Sequence, residues 1–329
     1  MAALSPMMQQ YFDIKKQHPD KILFFRLGDF YEMFYDDAIL ASKELELTLT
    51  GRDCGQEERA PMCGVPFHSY ENYVARLIAK GYKVAICEQM EDPALAKGLV
   101  KRDIIRVVTP GTVIESSMLQ DDKNNYIASI YITEKKAGVC FADVSTGTAH
   151  ATVLTGEKLG PEIISELCRY SPSEVLFNAA ILDYKEVTAY IKQQLACSVE
   201  LLDEAAFAPD ACMEEMRAQF GDAPEKTAGL APESPAFTAL AVLLGYLKET
   251  QKKGVERLKT VHNYAEAQYM QLSPVTRANL ELTETMRGRE KKGTLLWVLD
   301  KTQTAMGKRL MRAWIEQPLV NVAAINARL

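Results

Sequence analysis

The residues best suited to chemistry lie in the stretch RLGDFYEMFYDDA, where an aromatic ring and a carboxylate stand two positions apart. Phe30 and Glu32 follow an apolar run and Gly28, which would let a ligand approach the backbone closely. Because side chains alternate between the two faces of a strand, Phe30 and Glu32 would point the same way. One face cannot easily be both core and surface, which weakens the interpretation of Phe30 as core and Glu32 as surface. The spacing alone leaves that interpretation and a ligand-binding role open.

Other candidate sites are weaker. The segment TQTAMGKR, residues 302–309, lacks the first glycine and the final Ser or Thr of a phosphate loop. The spacing of Cys54, Cys63 and His68 fits no standard zinc pattern. Asp143 follows an apolar strand, where a nuclease could hold a metal ion, but no second carboxylate pairs with it by spacing. A solvated residue at the end of a strand is the favoured interpretation of Asp143.

Composition indicates an intracellular globular protein of two or three domains. The chain has 329 residues, of which 47% are hydrophobic, and no apolar run approaches the roughly 20 residues that span a bilayer. Its seven cysteines include no CxxC pair, and the N-terminus has no secretory signal, so we expect reduced thiols and a cytoplasmic location.

Charge is unevenly distributed along the chain. Residues 1–115 carry 14 Lys and Arg against 17 Asp and Glu, a net charge of −3. Residues 116–249 carry 10 against 20, which gives −10, and residues 250–329 carry 14 against 7, which gives +7. The basic end could follow a phosphate backbone, while the acidic middle is better suited to protein or water. Ordinary variation between helical surfaces explains the same numbers, and both interpretations stay open.

The elements that would position Phe30 and Glu32 form a small mixed-sheet α/β domain over residues 1–115. Ser5 followed by Pro6 predicts the start of a helix that ends near Gln17. Further helices are predicted at 36–45 and in SYENYVARLIAKG. Strands are predicted in KILFFRL, FYEMF, LELTLT, YKVAICEQM and IIRVVTPGTV.

The rest of the chain divides into a linker, a second α/β domain and a helical end. Residues 116–124 are polar and unpatterned, which is typical of a linker. Residues 125–250 begin with three strands that predict an antiparallel meander, and the FGDAPEKTAGLAPESP segment within them is predicted to be a loop. Residues 251–329 have a helical pattern throughout. Because the chain stops inside an expected helix, we expect it to be part of a longer protein.

The long motifs of the chain resemble those of the MutS family of bacterial DNA mismatch-recognition proteins. The resemblance is carried by GDFYEMFYDDA, by PMCGVPFHSYENYVARLIAKGYKVAICEQMEDP and VVTPGT, and later by DVSTG, RANLELTE and TLLWVLDKTQTAMGKRLMRAWIEQPL. Together these motifs cover essentially the whole chain. The clearest departure is Cys63, where the family pattern has a small residue, most often alanine.

The resemblance implies a role for each residue of the Phe-x-Glu motif. Phe30 would wedge beside the mispaired base from the minor groove of a kinked duplex, and Glu32 would hydrogen-bond that base. An ionised Glu32 would accept from an exposed imino N–H, whereas a protonated Glu32 would donate to a purine N7, and the sequence does not decide between them. Further DNA contacts are expected from six neighbouring residues: Leu27, Pro66, Lys97, Lys101, Arg102 and Arg106.

The resemblance also implies an architecture and partners. Residues 1–115 would be the mismatch-binding domain, 125–250 an RNase H-like connector, and 251–329 the all-α beginning of the lever domain. The ATPase domain would lie beyond this chain, so we expect no enzyme activity and no cofactor here, and ATP and magnesium only in the full-length protein. Expected partners are mismatched double-stranded DNA, a second subunit in a full-length homodimer, and a MutL-type repair protein that meets the connector. The alternatives are a base-flipping repair enzyme or nuclease, and a protein-interaction module.

Overall fold

The computed structural model describes residues 4–92, 98–115, 117–195, 197–252, 254–265 and 268–329. The chain divides into two compact units, residues 1–112 with 248–253 and residues 113–247 with 254–329. Within the described residues each unit is built on a six-stranded sheet of mixed strand direction with helices packed against it. This is the mixed α/β class that the sequence predicts. The partition into domains at 1–115, 125–250 and 251–329 stays a prediction.

The first unit contains the strands that carry the Phe-x-Glu motif. Its strands occur in the order β3-β4-β2-β1-β5-β6 across the sheet. Strand β1 is parallel to β5, and the other neighbouring pairs are antiparallel. In chain order its elements are α1 (Pro6–Gln17), β1 (Ile22–Leu27), β2 (Phe30–Phe34), α2 (Tyr35–Leu45), β3 (Thr50–Arg52), β4 (Ala60–Pro66), α3 (Tyr70–Ala79), β5 (Val84–Gln89) and β6 (Arg102–Val108).

Helix α1 covers the inner part of one face of this sheet. The Ser5 hydroxyl accepts a hydrogen bond from the Met8 N–H at 3.4 Å, so the helix begins with the predicted cap and with Pro6 at its first position. The ring of Tyr11 packs edge-on against Phe25 and Phe34, at centroid distances of 5.6 and 5.1 Å. The predicted start and end of α1 are confirmed.

The predicted strand LELTLT is wrong in its position. Helix α2 continues to Leu45, whose side chain is buried, and the chain then turns at Glu46 with a φ of +59°. Only the last residue of the segment, Thr50, belongs to a strand, and that strand, β3, is three residues long. Of the apolar side chains that suggested a strand, Leu45 lies in the last turn of the helix, and Leu47 and Leu49 lie in the connection to β3.

The second unit contains the predicted meander and several helices. Its strand order is β11-β10-β7-β8-β9-β12. The antiparallel β7-β8-β9 meander is confirmed, and β10 and β11 extend it in the direction parallel to β7. The elements are β7 (Ile127–Thr133), β8 (Lys136–Asp143), β9 (Thr148–Thr155), α4 (Leu159–Tyr170), β10 (Glu174–Phe177), α5 (Lys185–Tyr190), β11 (Ser198–Leu201), α6 (Pro209–Phe220), α7 (Pro224–Ala228), α8 (Pro235–Gln251), β12 (Thr260–Asn263), α9 (Pro274–Asn279), α10 (Leu295–Leu299), α11 (Ala305–Glu316) and α12 (Val322–Asn326).

Both faces of the second sheet are buried. One hydrophobic cluster joins β7–β10 to α6 and α8, and the other joins them to α4 and α5. Helix α8 begins so close to β8 that a Cβ atom at Gly138 would lie 1.9 Å from the carbonyl oxygen of Pro235. Glycine is therefore required at this position for the helix to approach the sheet.

Two sequence predictions for this unit are wrong. Residues 251–329 are not entirely helical, because Thr260–Asn263 forms β12 and pairs in parallel with Thr148–Ala151 of β9. This strand is short and polar, so it has no apolar alternation that a sequence pattern could reveal. The segment predicted to be a loop contains the short helix α7, which begins at Pro224.

Candidate nucleic-acid interface

The side chain of Phe30 is exposed at the rim of the first sheet. Phe30 is the first residue of β2, and 46% of its surface is accessible. Glu32 lies on the same face, directly opposite Phe25 of β1. Phe25 and Phe34 on that face are buried beneath α1. Along this face of β2, the side chains are therefore buried at Phe34 and exposed at Phe30.

A tight hairpin fixes the position of the ring. Leu27 and Phe30 pair across a two-residue loop in which Gly28 has a φ of +56° and Asp29 does not have a positive φ. A glycine at the first loop position is what a type II′ hairpin turn requires. The Phe67 N–H donates to the Asp29 carbonyl at 2.9 Å, which ties the loop to the end of β4. Phe30 thus projects from a hydrogen-bonded hairpin rather than from a free loop.

Two of the predicted contact residues flank Phe30. In the register of β1, β2 and β4, Leu27 and Pro66 both lie directly opposite Phe30, so the three share one face. Leu27 and Pro66 are half-buried. The three side chains form an apolar rim, with Glu32 one pleat further along β2.

Glu32 forms an ion pair with Arg52 of β3. The Arg52 guanidinium donates to Glu32 Oε2, and the two side chains are 37% and 12% exposed. Gly64 of β4 lies directly opposite Glu32, and a Cβ atom there would be 3.4 Å from Glu32 Cγ and 3.3 Å from the Tyr31 carbonyl oxygen. The sequence reasoning missed Arg52. Its approach to Glu32 depends on the strand order of the sheet, in which only β4 lies between β3 and β2.

The opposite face of the hairpin is held by a second polar cluster. The Tyr31 hydroxyl donates to Glu88 Oε2 at 2.7 Å, and Arg26 forms an ion pair with the same carboxylate at 3.4 Å. The Arg26 guanidinium also lies 3.7 Å from the centroid of the Phe67 ring. Burial, and then the bond to Glu88, raise the pKa of the Tyr31 hydroxyl, so it remains a donor at neutral pH. These contacts stiffen the strand that carries Phe30.

The phosphate contact predicted for Arg102 is not supported, because this residue is 8% exposed. Its guanidinium lies 5.0 Å from the Phe25 ring, and it donates to the Arg26 carbonyl at 2.8 Å and to Gln10 Oε1 at 2.9 Å. These bonds join β6 to β1 and α1. Arg102 is therefore a structural residue that links β6 to β1 and α1.

The other described cations that were predicted to contact phosphates, Arg106 and Lys101, differ in how exposed they are. Arg106 is half-buried and donates to the Thr112 carbonyl at 3.3 Å, so its guanidinium is also turned toward the protein. Lys101 is exposed, and its backbone N–H donates to Glu91 Oε1 at 2.7 Å. Lys97 lies outside the described residues. Of this group, Lys101 is the cation that the structure leaves accessible to a phosphate.

Asp143, the residue at which a metal-binding role was considered, is the last residue of β8 in the second unit. This residue is fully buried, so its interpretation as a solvated residue is wrong. Its carboxylate accepts from Asn124 Nδ2 at 2.7 Å and from the Ser145 N–H and hydroxyl at 2.9 and 2.6 Å, which fixes the turn after β8. Among the described residues, no group of three or more His, Cys, Asp or Glu side chains is arranged to hold a metal ion.

None of the helices in the described residues combines the length and the apolar character that a bilayer crossing needs.

Models of three protein domains match successive parts of the chain. "MutS domain I" matches residues 5–117, "MutS domain II" matches residues 125–261, and "MutS domain III" matches residues 275–329. The Phe30 rim and the Glu32–Arg52 pair lie within the first match, and the first two residues of β12, Thr260 and Val261, lie within the second.

Curated relatives are similar over the whole chain. A DNA mismatch repair protein MutS from Ruminiclostridium cellulolyticum is 52% identical over 329 residues, which are 100% of this chain and 37% of that protein. Proteins of the same name from Acetivibrio thermocellus and Alkaliphilus oremlandii are 50% and 46% identical, again over 100% of this chain and 38% of each protein. The chain thus spans less than two fifths of the length of these relatives. With three matched domains in the family order and about half of its residues identical, the chain belongs to the MutS family.

Proposed function

We propose that this chain recognises mispaired or looped duplex DNA, with Phe30 as a wedge beside the mispaired base and Glu32 as its hydrogen-bonding partner. The observation that carries the proposal is the exposed Phe30 ring on a rigid hairpin, with a carboxylate two residues away on the same face. The relatives' shared name, DNA mismatch repair protein, supports it.

The wedge distinguishes a mismatch by how easily the duplex deforms. A mispair stacks and pairs poorly, so kinking the helix there costs less than at a Watson–Crick step. Inserting Phe30 costs a few kcal/mol of unstacking and regains about 1–3 kcal/mol by stacking on the base. Leu27 and Pro66 beside the ring would press against the minor groove. The balance favours insertion only where the duplex is already weak.

The ion pair with Arg52 adds a second level of selection. In the free protein the Glu32 carboxylate accepts from Arg52, so its negative charge is partly compensated. When DNA binds, a mispaired base with an unpaired edge can take the place of Arg52, and the released guanidinium can then contact a phosphate. A matched duplex offers no such edge, so Glu32 there adds only repulsion of the phosphates.

The remaining parts of the proposal concern the chain beyond the first unit. We propose that residues 125–250 act as an RNase H-like connector, which is supported by the β7-β8-β9 meander extended by two parallel strands. Residues 251–329 would begin the lever domain. In a longer, homodimeric protein these parts would couple the wedge to an ATPase that uses magnesium. The acidic connector would meet a MutL-type partner, and the whole would act on DNA at the nucleoid.

Binding to a G·T duplex and to its matched homoduplex, measured by fluorescence anisotropy at fixed salt, tests this proposal. We expect tighter binding to the mismatch, with a steep salt dependence because phosphate contacts dominate. Ile39→Ala is the control for loss of the Phe30 ring, because Ile39 is also an exposed apolar residue but lies on α2. A magnesium-dependent cleavage assay runs alongside. Cleavage without mismatch preference would favour the nuclease alternative, and no DNA binding at all would favour the protein-interaction module.

A further inference from the structure

The second unit contains a basic cavity that plays no part in the proposed DNA recognition. Its volume is about 330 Å³, and it is lined by residues before β7, at the end of α4, between α9 and α10, and on α11. Six of its lining residues are cations: Lys123, Arg169, Arg277, Arg289, Arg309 and Arg312. Two are carboxylates, Glu284 and Glu316. We call this space the basic cavity.

Arg169 is the most deeply buried cation of the basic cavity. Its surface is 2% exposed, and its Nη1 pairs with Glu166 at 2.9 Å. The Nε and Nη2 atoms have no hydrogen-bond partner among the residues that the structure describes. A buried donor without an acceptor is costly, and a buried cation more so. Arg169 thus combines a place in the cavity lining with two buried donors that lack an acceptor among the described residues.

Arg309 of α11 repeats this situation. Its Nε is buried and, within the described part of the chain, lacks an acceptor. Arg309 also acts on Tyr126 across the cavity wall, where its positive charge opposes the rise in the pKa of that hydroxyl that burial causes. Two arginines from different elements thus line the same cavity, and each has a buried donor that lacks an acceptor among the described residues.

Of the carboxylates at the basic cavity, Glu316 and the nearby Asp122 form ion pairs, whereas Glu284 forms none with the described residues. Glu316 accepts from Arg312 Nη1 at 3.2 Å. Asp122, just outside the lining, pairs with Lys291 at 3.3 Å and with Arg312 at 3.7 Å. Arg277, another cation of the lining, donates to the carbonyl oxygens of Leu272 and Glu316. The charge that remains on Arg309, Lys123 and Arg289 is therefore not balanced by these acids.

We propose that the basic cavity binds a phosphate-bearing small anion. Planar guanidinium groups donate in a fork that matches the oxygens of a phosphate, and several of them converge here. The volume lies at the lower end of the range for small-molecule sites, which suits inorganic phosphate, pyrophosphate or a mononucleotide. The ligand chemistry common to these molecules is the phosphate group. This site is separate from the Phe30 rim and does not depend on the function proposed for it.

Isothermal titration calorimetry on the whole chain, with pyrophosphate, adenosine monophosphate and adenosine at constant ionic strength, tests the proposal. We expect saturable binding of one phosphate ligand per chain and none of adenosine. Binding of pyrophosphate assigns the site to free phosphates, and binding of adenosine monophosphate alone assigns it to nucleotides. Equal binding of adenosine, or no heat with either phosphate ligand, would overturn the proposal.

Two variants locate the site. Arg309→Gln removes a lining cation without breaking the Arg169–Glu166 pair, and it should weaken phosphate binding at least about tenfold, the size expected for a charge-assisted hydrogen bond. Arg287→Gln is the matched control, because Arg287 is exposed nearby and does not line the cavity. Circular dichroism shows whether both variants stay folded. An equal loss of binding in both variants would mean that the anion binds to general surface charge.

Discussion

Two carboxylate–arginine pairs, one in each unit, illustrate what burial does to the same chemistry. Glu32 and Arg52 join two strands of the first sheet, and their side chains are 12% and 37% exposed. Glu166 and Arg169 lie one turn apart on α4, and both side chains are 1% exposed. The Tyr264 hydroxyl also donates to Glu166 at 2.6 Å. The first pair is partly exposed to solvent, while both side chains of the second are almost fully buried.

This difference determines what each pair can do. An exposed ion pair contributes at most about 1 kcal/mol, so it can open and exchange one partner for another at little cost. Breaking a buried pair leaves an uncompensated charge, which costs about 3–5 kcal/mol. We therefore interpret Glu32 as a group that changes partners during binding and Glu166 as a fixed part of the core.

Glu166→Gln gives the largest effect that this comparison predicts. The neutral amide leaves the Arg169 charge buried, so the free energy of unfolding of the second unit should fall by about 3–5 kcal/mol. Both tryptophans of the chain, Trp297 and Trp314, lie in this unit, so their fluorescence during urea unfolding follows it selectively. Glu157→Gln, at an exposed position before α4, should change little. A loss below about 1 kcal/mol would mean that the buried pair is no more essential than the exposed one.

A pH titration extends the comparison to a half-buried histidine of the second unit, His150. Burial, and then the stacked His262 ring at 5.1 Å, lower the pKa of His150 from 6.5 to about 4, while Asp143 opposes the shift. The unfolded chain takes up this proton near pH 6.5 and the folded chain only near pH 4. Stability should therefore fall as the pH drops through that window, by about 3 kcal/mol at most.

The contribution of His150 is isolated by a difference between variants. Unfolding of the second unit is compared at pH 7 and pH 5 for the wild-type chain, for His150→Asn and for His68→Asn. We expect His150→Asn to lose most of the pH dependence and His68→Asn, whose histidine is exposed in the first unit, to keep it. The same pH dependence in all three proteins would contradict the assignment.

Phe30→Ala tests the accessible region directly. Loss of the ring should weaken mismatch binding by about 10- to 100-fold, because stacking on a base is worth about 1–3 kcal/mol. Since nearly half of the ring is exposed, the free energy of unfolding should change by less than about 1 kcal/mol. Anisotropy with G·T and matched duplexes, and circular dichroism, measure the two quantities. A collapsed fold would show that Phe30 is core, and the wedge assignment would then be wrong.

The sequence predicted local features of the candidate site and missed those that depend on sheet order. Strand alternation placed Phe30 and Glu32 on one face, because alternation depends only on a few adjacent residues. The hairpin turn at Gly28 was not predicted. The partner of Glu32 is Arg52, twenty residues away on a strand whose position was mispredicted. A count of nearby cations likewise suggested phosphate contacts for Arg102, which the fold encloses between α1 and β1.

The fold shows the same limit. Helix α1 and the β7-β8-β9 meander were predictable, because a cap or a short turn specifies each of them locally. Strand β12 was not, since Thr260–Asn263 is polar and becomes a strand only by pairing with β9, more than a hundred residues earlier. Helix α2 ends at Leu45, as predicted, whereas Leu47 and Leu49, which the alternating pattern had assigned to a strand, belong to no strand. Where tertiary contacts decide, a local pattern is insufficient.

Glu32→Gln is expected to have the smallest effect and tests whether the exposed pair acts as an exchangeable switch. The amide keeps a donor and an acceptor in nearly the same place but removes the negative charge, so repulsion of the phosphates falls and Arg52 becomes free to contact them. Homoduplex affinity should rise by up to about fivefold, the value of an exposed ion pair, while mismatch affinity holds or rises slightly. The ratio between them should therefore shrink.

Glu32→Ala also relieves the repulsion but loses the contact to the base, so its mismatch affinity should fall below that of the glutamine variant. Adding Arg52→Gln to Glu32→Gln should cancel the gain on homoduplex if the freed guanidinium causes it. Dissociation constants at one salt concentration measure all of these. If Glu32→Gln leaves homoduplex binding unchanged and loses mismatch binding as fully as alanine does, Glu32 is a simple contact, and burial alone does not explain how the two pairs differ.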